Sequence, residues 1–283
     1  MLLALFMLLS IGGTLGILLG ADTFSSLQWL WMLPVSLVGS ILGALVLVLG
    51  PCIVAILIID IRKPQEHDSK FYRWLSEELI LILRTLLRMR IHVEGFEKVP
   101  PKGRFVLVCN HRHDSDPAFL LSVLKGRQLA FIAKKEVADM FAVGKLLHKL
   151  SGQFINREND KEALKTILRC IRLLKEDQAS VAVFPEGYVY ESRTLHHFRH
   201  GVFKIATKAN VPLVVCTMRG TREVFHNILH FKATDIHIRF LATITEEEYR
   251  GITTVELSER VYAMMAEDLE PDGLVYHGEE TEN

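Results

Sequence analysis

Among the first 59 residues only Asp22 carries a charge, although the whole chain holds 33 basic and 33 acidic residues. Residues 1–21 are rich in leucine and long enough, as a helix, to cross a hydrocarbon core of about 30 Å. Residues 23–59 are uncharged again and too many for one straight span. Pro34 suits the first turn of a second helix ending near Ile59, and Gly50-Pro51 predicts a kink in it. The pattern predicts a hairpin of two helices that turns around residues 22–28. A cleaved signal peptide is the competing reading of the first segment. Leu19-Gly20-Ala21 suits a cleavage site, but the basic start that such a peptide carries is missing. A re-entrant hairpin dipping into one leaflet is the other arrangement open to the same residues.

Arg62, Lys63, Lys70 and Arg73 follow at once, and by the positive-inside rule they place the rest of the chain on the cytoplasmic side. From Phe71 to Leu87 apolar residues recur at helical spacing, punctuated by Arg73, Arg84 and Arg88. Such a helix either lies in the headgroup region or packs on the domain that follows. The expected organisation is a membrane hairpin over residues 1–60, an amphipathic interfacial helix over 61–90, an α/β domain over 91–275 and a polar tail over 276–283.

After residue 90 strand-like and helix-like stretches alternate. Strands are expected at 105–109, 129–133, 180–184, 212–217 and 236–244, and helices at 117–124, 160–175, 202–209 and 255–269. The alternation predicts an α/β fold: a mixed, largely parallel sheet flanked by helices. A net charge of zero argues against a nucleic-acid partner, whose phosphates demand a basic excess. Cys52, Cys109, Cys170 and Cys216 stand in apolar contexts without C-x-x-C spacing, and read as buried free thiols of a reducing compartment.

The chemistry concentrates in Asn110-His111-Arg112-His113-Asp114-Ser115-Asp116-Pro117, which follows an apolar strand and precedes a helix. Ligands of open α/β sheets gather at such strand ends. Esterifying an alcohol requires taking its proton as it attacks an activated carbonyl, and a neutral imidazole oriented by a carboxylate does this near pH 7. His111 and Asp116 suit those parts, with the substrate's own hydroxyl as nucleophile. Two plainer readings stand beside this. Asp116-Pro117 is also a good helix N-cap. His111 and His113 open an H-x-H-x-D-H metal motif, which fails at Ser115 and Asp116. His196, His197 and His200 form a second histidine cluster, without carboxylates or cysteines at matching spacing.

Four blocks in order resemble the lysophosphatidate (glycerolphosphate) acyltransferase family. They are Asn110-His111 with Asp116; Ser151-Gly152-Gln153-Phe154-Ile155-Asn156-Arg157; Phe184-Pro185-Glu186-Gly187-Tyr188-Val189; and Val211-Pro212-Leu213-Val214-Val215. Phe198-Arg199-His200-Gly201-Val202-Phe203-Lys204 is also much like family sequences.

The resemblance implies His111 as general base and Asp116 as its orienting partner. It implies Arg157 on the acceptor's phosphate, and Glu186 and Gly187 shaping the acceptor site. The acceptor would be a lysophospholipid, with lysophosphatidate yielding phosphatidate, and the donor an acyl-CoA or acyl-carrier protein, without metal or redox cofactor. Tyr188-Val189 departs from the family, which has a small hydroxyl residue and an arginine there, and Arg193 is the cation placed to compensate. Other lysolipids or glycerol 3-phosphate remain as acceptors, and a metal-dependent hydrolase or a membrane scaffold with a degenerate site are the readings from other classes.

Overall fold

The computed structural model describes residues 1–20, 27–63, 65, 67–190 and 194–274. The expected turn at Asp22, Arg193 and the expected polar tail lie outside the described residues.

The uncharged segment folds as two long helices, α1 (Leu2–Gly20) and α2 (Trp29–Leu57). Both are long and apolar enough to cross a membrane, and only 17% and 28% of their apolar windows are buried, so most of their surface finds no protein partner. They pack through small residues: the Thr14 and Ser40 hydroxyls meet at 2.6 Å, and a Cβ added at Gly13 would stand 3.0 Å from that of Ser40. Small side chains let two backbones approach and share hydrogen bonds where no water is present. Pro34 lies inside α2 and not in its first turn, because the helix starts at Trp29. The turn before it is apolar and helix-compatible, so the proline is absorbed close to the helix start. Pro51 also lies within α2.

Helix α3 (Lys70–Leu86) starts at the Ser69 cap. It is wedged between hairpin and domain: Leu75 is buried among Leu2, Val48, Cys52 and Ile56, and the Met1 ammonium reaches the Glu78 carboxylate at 2.7 Å. Arg73 is buried and paired with Asp68, so it adds nothing to an exposed basic cluster. Strand β1 starts at Met89, inside the segment assigned to helix. Its polar alternates Arg90, His92 and Glu94 mark a half-solvated edge strand.

Seven strands form one sheet in the order β1 (Met89–Glu94), β7 (Thr234–Ile244), β6 (Leu213–Arg219), β2 (Val106–Cys109), β5 (Ser180–Val183), β3 (Leu129–Lys134), β4 (Gln153–Ile155). All neighbours are parallel except β6 and β7, which confirms the mixed, largely parallel sheet. The central strands are apolar on both faces, as burial under two helical layers demands. One layer holds α4 (Asp116–Val123), α5 (Val143–Lys149) and α8 (Val224–Leu229) together with α3. The other holds α6 (Asp160–Lys175), α7 (Lys204–Ala209) and α9 (Thr254–Leu269).

Strands β2 and β5 are neighbours, yet β2 leads into α4 on one face and β5 leads towards α7 on the other. Chains departing to opposite faces open a crevice at the strand ends, the usual seat of a ligand in this architecture. The crossing beside it is tight: Gly220 has φ +84°, and a Cβ there would meet the Asp235 carbonyl at 2.1 Å. Gly220→Ala is expected to destabilise the fold by more than about 1 kcal/mol through clash and backbone strain, read as a lowered Tm.

Candidate active site

His111 leaves β2 at that crevice. Its Nδ1 lies 3.0 Å from Asp116 Oδ2, and the same oxygen accepts the backbone N–H groups of Arg112 at 2.6 Å and His113 at 2.9 Å. Asp116 is fully buried. This separates the two sequence readings of Asp116. It is the first residue of α4, its carboxylate turns back onto the loop, and Ser115 holds the N-cap position without a capping bond from its side chain. The aspartate therefore orients a histidine and does not cap a helix.

The His111 ring stacks on Phe184 at 4.1 Å, 17° from parallel, so packing and hydrogen bonding both fix its plane. A carboxylate accepting from Nδ1 leaves Nε2 bare, able to take a proton. Among the described residues no serine or cysteine side chain bonds to this ring, so the arrangement is a base without a protein nucleophile.

Asn110 has a part that sequence reasoning missed. Its Nδ2 donates to the Met218 carbonyl at 3.0 Å and its Oδ1 accepts the Met218 N–H at 2.7 Å. The side-chain amide continues the β2–β6 ladder where the main chain departs, anchoring the loop that carries His111. Its burial at a strand end beside His111 was the available signal.

Glu186 is 2% exposed and spends both oxygens on backbone: Oε1 accepts the His111 N–H at 2.7 Å and Oε2 the His196 N–H at 3.0 Å. It thereby ties the loop of His111 to the loop of His196. Burial pushes its carboxyl up to about 7, against the lowering effect of both N–H groups. Gly187, at φ +81°, makes room for Arg199, whose Nε would lie 2.8 Å from an added Cβ.

Arg157, just beyond β4, lies with its guanidinium 4.7 Å from the centre of the Tyr188 ring, and that of Arg199 lies 5.2 Å from the same centre. Burial pulls Arg157 below its usual range, Tyr188 opposes this, and the Arg199 cation lowers it further. Arg199 is thus a cation close to Arg157, while Arg193 lies outside the described residues. Arg199 was not singled out in sequence because its block precedes a helix far along the chain; only the turn at Gly187 brings it back.

The histidine clusters do not converge. His113 bonds Ser115 at 2.8 Å, His196 stacks on Tyr190 and His197 on Tyr262. Among the described residues no three His, Cys, Asp or Glu side chains group as metal ligands would. All four cysteines are buried and free.

The site is built around a histidine held by a buried carboxylate at the switch crevice of a largely parallel sheet. The family model described as Acyltransferase matches residues 90–219. The chain is 25% identical over 210 residues to 1-acyl-sn-glycerol-3-phosphate acyltransferase alpha of Bos taurus, covering 74% of this chain and 71% of that one. It is 28% identical over 188 residues to the probable 1-acyl-sn-glycerol-3-phosphate acyltransferase of Mycoplasma pneumoniae, covering 63% and 70%. The crystal structure of the 1-acyl-sn-glycerophosphate acyltransferase PlsC from Thermotoga maritima shares the fold, with TM-score 0.61 at 22% identity over 83% of this chain and 93% of that one. The chain is thus similar, over residues 90–219 and in the longer alignments, to acyltransferases named for 1-acyl-sn-glycerol-3-phosphate.

His111→Ala is expected to abolish transfer, by at least the ~10²–10⁴-fold that general-base catalysis contributes, with a Tm close to wild type. Asp116→Asn is also severe, because an amide cannot hold the tautomer or stabilise the imidazolium. Glu186 makes a separate prediction. Its folded value of about 7 lies above the ordinary 4.5, so the folded state binds more protons and stability falls as pH rises across that interval. A shift of this size corresponds to about 3 kcal/mol. Denaturant titrations from pH 4.5 to 7.5 are expected to show this slope in the wild type and a flatter one in Glu186→Gln.

Proposed function

We propose that this protein transfers a fatty acyl group from an acyl thioester, of coenzyme A or acyl-carrier protein, to the free hydroxyl of lysophosphatidate, giving phosphatidate. His111 Nε2 takes the hydroxyl proton as the oxygen attacks the thioester carbonyl. The tetrahedral intermediate collapses with loss of the thiolate, which receives the proton from the imidazolium. One C–O bond forms, one C–S bond breaks, and the base returns to its starting state. The thioester supplies the activation, so no cofactor is assigned. The observation that carries the reading is the His111–Asp116 pair at the crevice.

The acceptor's phosphate is assigned to Arg157 and Arg199. Two guanidinium groups crowd one tyrosine ring; besides burial, the Arg199 cation lowers the pKa of Arg157, and the Glu136 carboxylate offsets this in part. A phosphate monoester carries nearly two negative charges at neutral pH and relieves that like-charge strain through paired hydrogen bonds. Arg199 takes the part that Val189 cannot. Lys134 and Lys135, by contrast, are exposed and stand near Glu136 and Glu162, as on a solvated charged face.

Membrane anchorage by the hairpin belongs to the same reading, with Arg62 and Lys63 placing the domain on the cytoplasmic side. Their positions just after α2, and the unpartnered apolar surface of α1 and α2, support it.

Assay of detergent-purified protein against lysophosphatidate, glycerol 3-phosphate, lysophosphatidylcholine and monoacylglycerol, with both donor types, tests the reading. Arg157→Ala and Arg199→Ala are each expected to raise the lysophosphatidate KM by about 10–150-fold, the equivalent of 1.5–3 kcal/mol for hydrogen bonds to a charged group. The donor KM should stay near wild type, and Arg157→Lys should recover only part of the loss. Equal acylation of monoacylglycerol with silent arginine variants would contradict the phosphate assignment.

A further inference from the structure

The layer of helices that meets the hairpin carries a second apolar surface away from it. On and just after α8, Phe225 is 62%, Leu229 78% and Phe231 85% exposed. Leu83 and Leu86, at the far end of α3, are exposed as well. The ends of these two helices are tied: Arg88 Nη1 donates to the Phe231 carbonyl at 3.2 Å, and the Thr234 N–H donates to the Arg88 carbonyl at 3.2 Å. Phe231 is held outward on left-handed backbone at φ 54°, and Arg88 beside it at φ 52°, a conformation rarely taken by side chains of this size. A soluble surface gains nothing from an aromatic ring fixed in water this way.

Three further observations say what covers the patch. It is continuous with the hairpin through α3, whose buried side packs on Leu2, Val48 and Ile56. Arg84, Arg88 and Lys232 rim it, and apolar side chains within a basic rim suit the interface of an anionic bilayer. Its inner edge reaches the active site, where the Phe225 ring lies 5.1 Å from that of His113, two residues from the base.

We propose that Phe225, Leu229 and Phe231, with Leu83 and Leu86, form a second and shallow membrane-contact surface, which seats the mouth of the active site on the headgroup layer of the bilayer that holds the hairpin. The proposal rests on the reading of the hairpin as a membrane anchor. Hairpin and patch then form two points of attachment on one layer of the domain. A lysolipid leaving the bilayer passes Phe225 to reach His111 without crossing open water.

The test uses nitroxide labels on the full chain, reconstituted into vesicles of phosphatidylcholine with phosphatidylglycerol. The four native cysteines are buried, so labels go to single introduced sites: Leu229→Cys and Phe231→Cys in the patch, Val46→Cys on the hairpin, and Lys165→Cys on α6 in the opposite layer. The ratio of collisions with oxygen to collisions with a water-soluble nickel chelate reports immersion in lipid. It is expected to rise several-fold for Leu229→Cys and Phe231→Cys when the protein passes from detergent-free buffer containing amphipol into vesicles, while Lys165→Cys stays at the water value. Patch labels that read as water while Val46→Cys reads as lipid would overturn the second surface and leave the anchor standing. A Val46→Cys label that also reads as water would overturn both.

Discussion

The active end of this sheet depends on the direction of one buried carboxylate. Asp116 could have capped α4, and its neighbour Pro117 would have suited that arrangement. It turns back and gathers two backbone N–H groups and the His111 ring on a single oxygen. A buried charge must be met by hydrogen bonds or it costs several kcal/mol, so the loop from 111 to 116 has little freedom to adopt any other shape. The hydrogen bonds gathered on Asp116 Oδ2 therefore also set the tautomer and plane of the base. Glu186 repeats the device from the neighbouring strand, holding the His111 and His196 backbones to one carboxylate.

The chemistry and the fold class were legible because both depend on local pattern. Apolar runs four to six residues long give buried strands, and helical spacing gives the covering layers. What stayed hidden depends on contacts between distant segments. β4 is three residues of partly buried chain, and β1 is an edge strand whose polar alternates resemble the end of the preceding helix. Arg199 illustrates the same limit within the site. Its block was recognised as family-like, yet its position against Tyr188 follows from a left-handed glycine at 187 and a loop that no periodicity describes. Asn110 could be matched to a motif, but its peptide-like clamp on Met218 exists only once β2 and β6 are side by side.

Architecture and proposed substrate fit one another. Lysophosphatidate is amphiphilic, with its reactive hydroxyl near the headgroup, so a base serving it should sit close to the interface and not deep in a soluble cleft. Helices α3 and α8 belong to the layer on one side of the sheet, and the hairpin meets that layer through α3. The cations around Tyr188 lie beyond β4 and β5.

The central claim is that Asp116 holds His111 as a base with a bare Nε2. Nitrogen-15 NMR of the imidazole rings reads this directly, with the His111 signals assigned by comparison with His111→Gln. For the neutral ring, the account predicts a protonated Nδ1 and a pyridine-type Nε2. A His111 ring protonated at Nε2, with Nδ1 bare against the carboxylate, would contradict it.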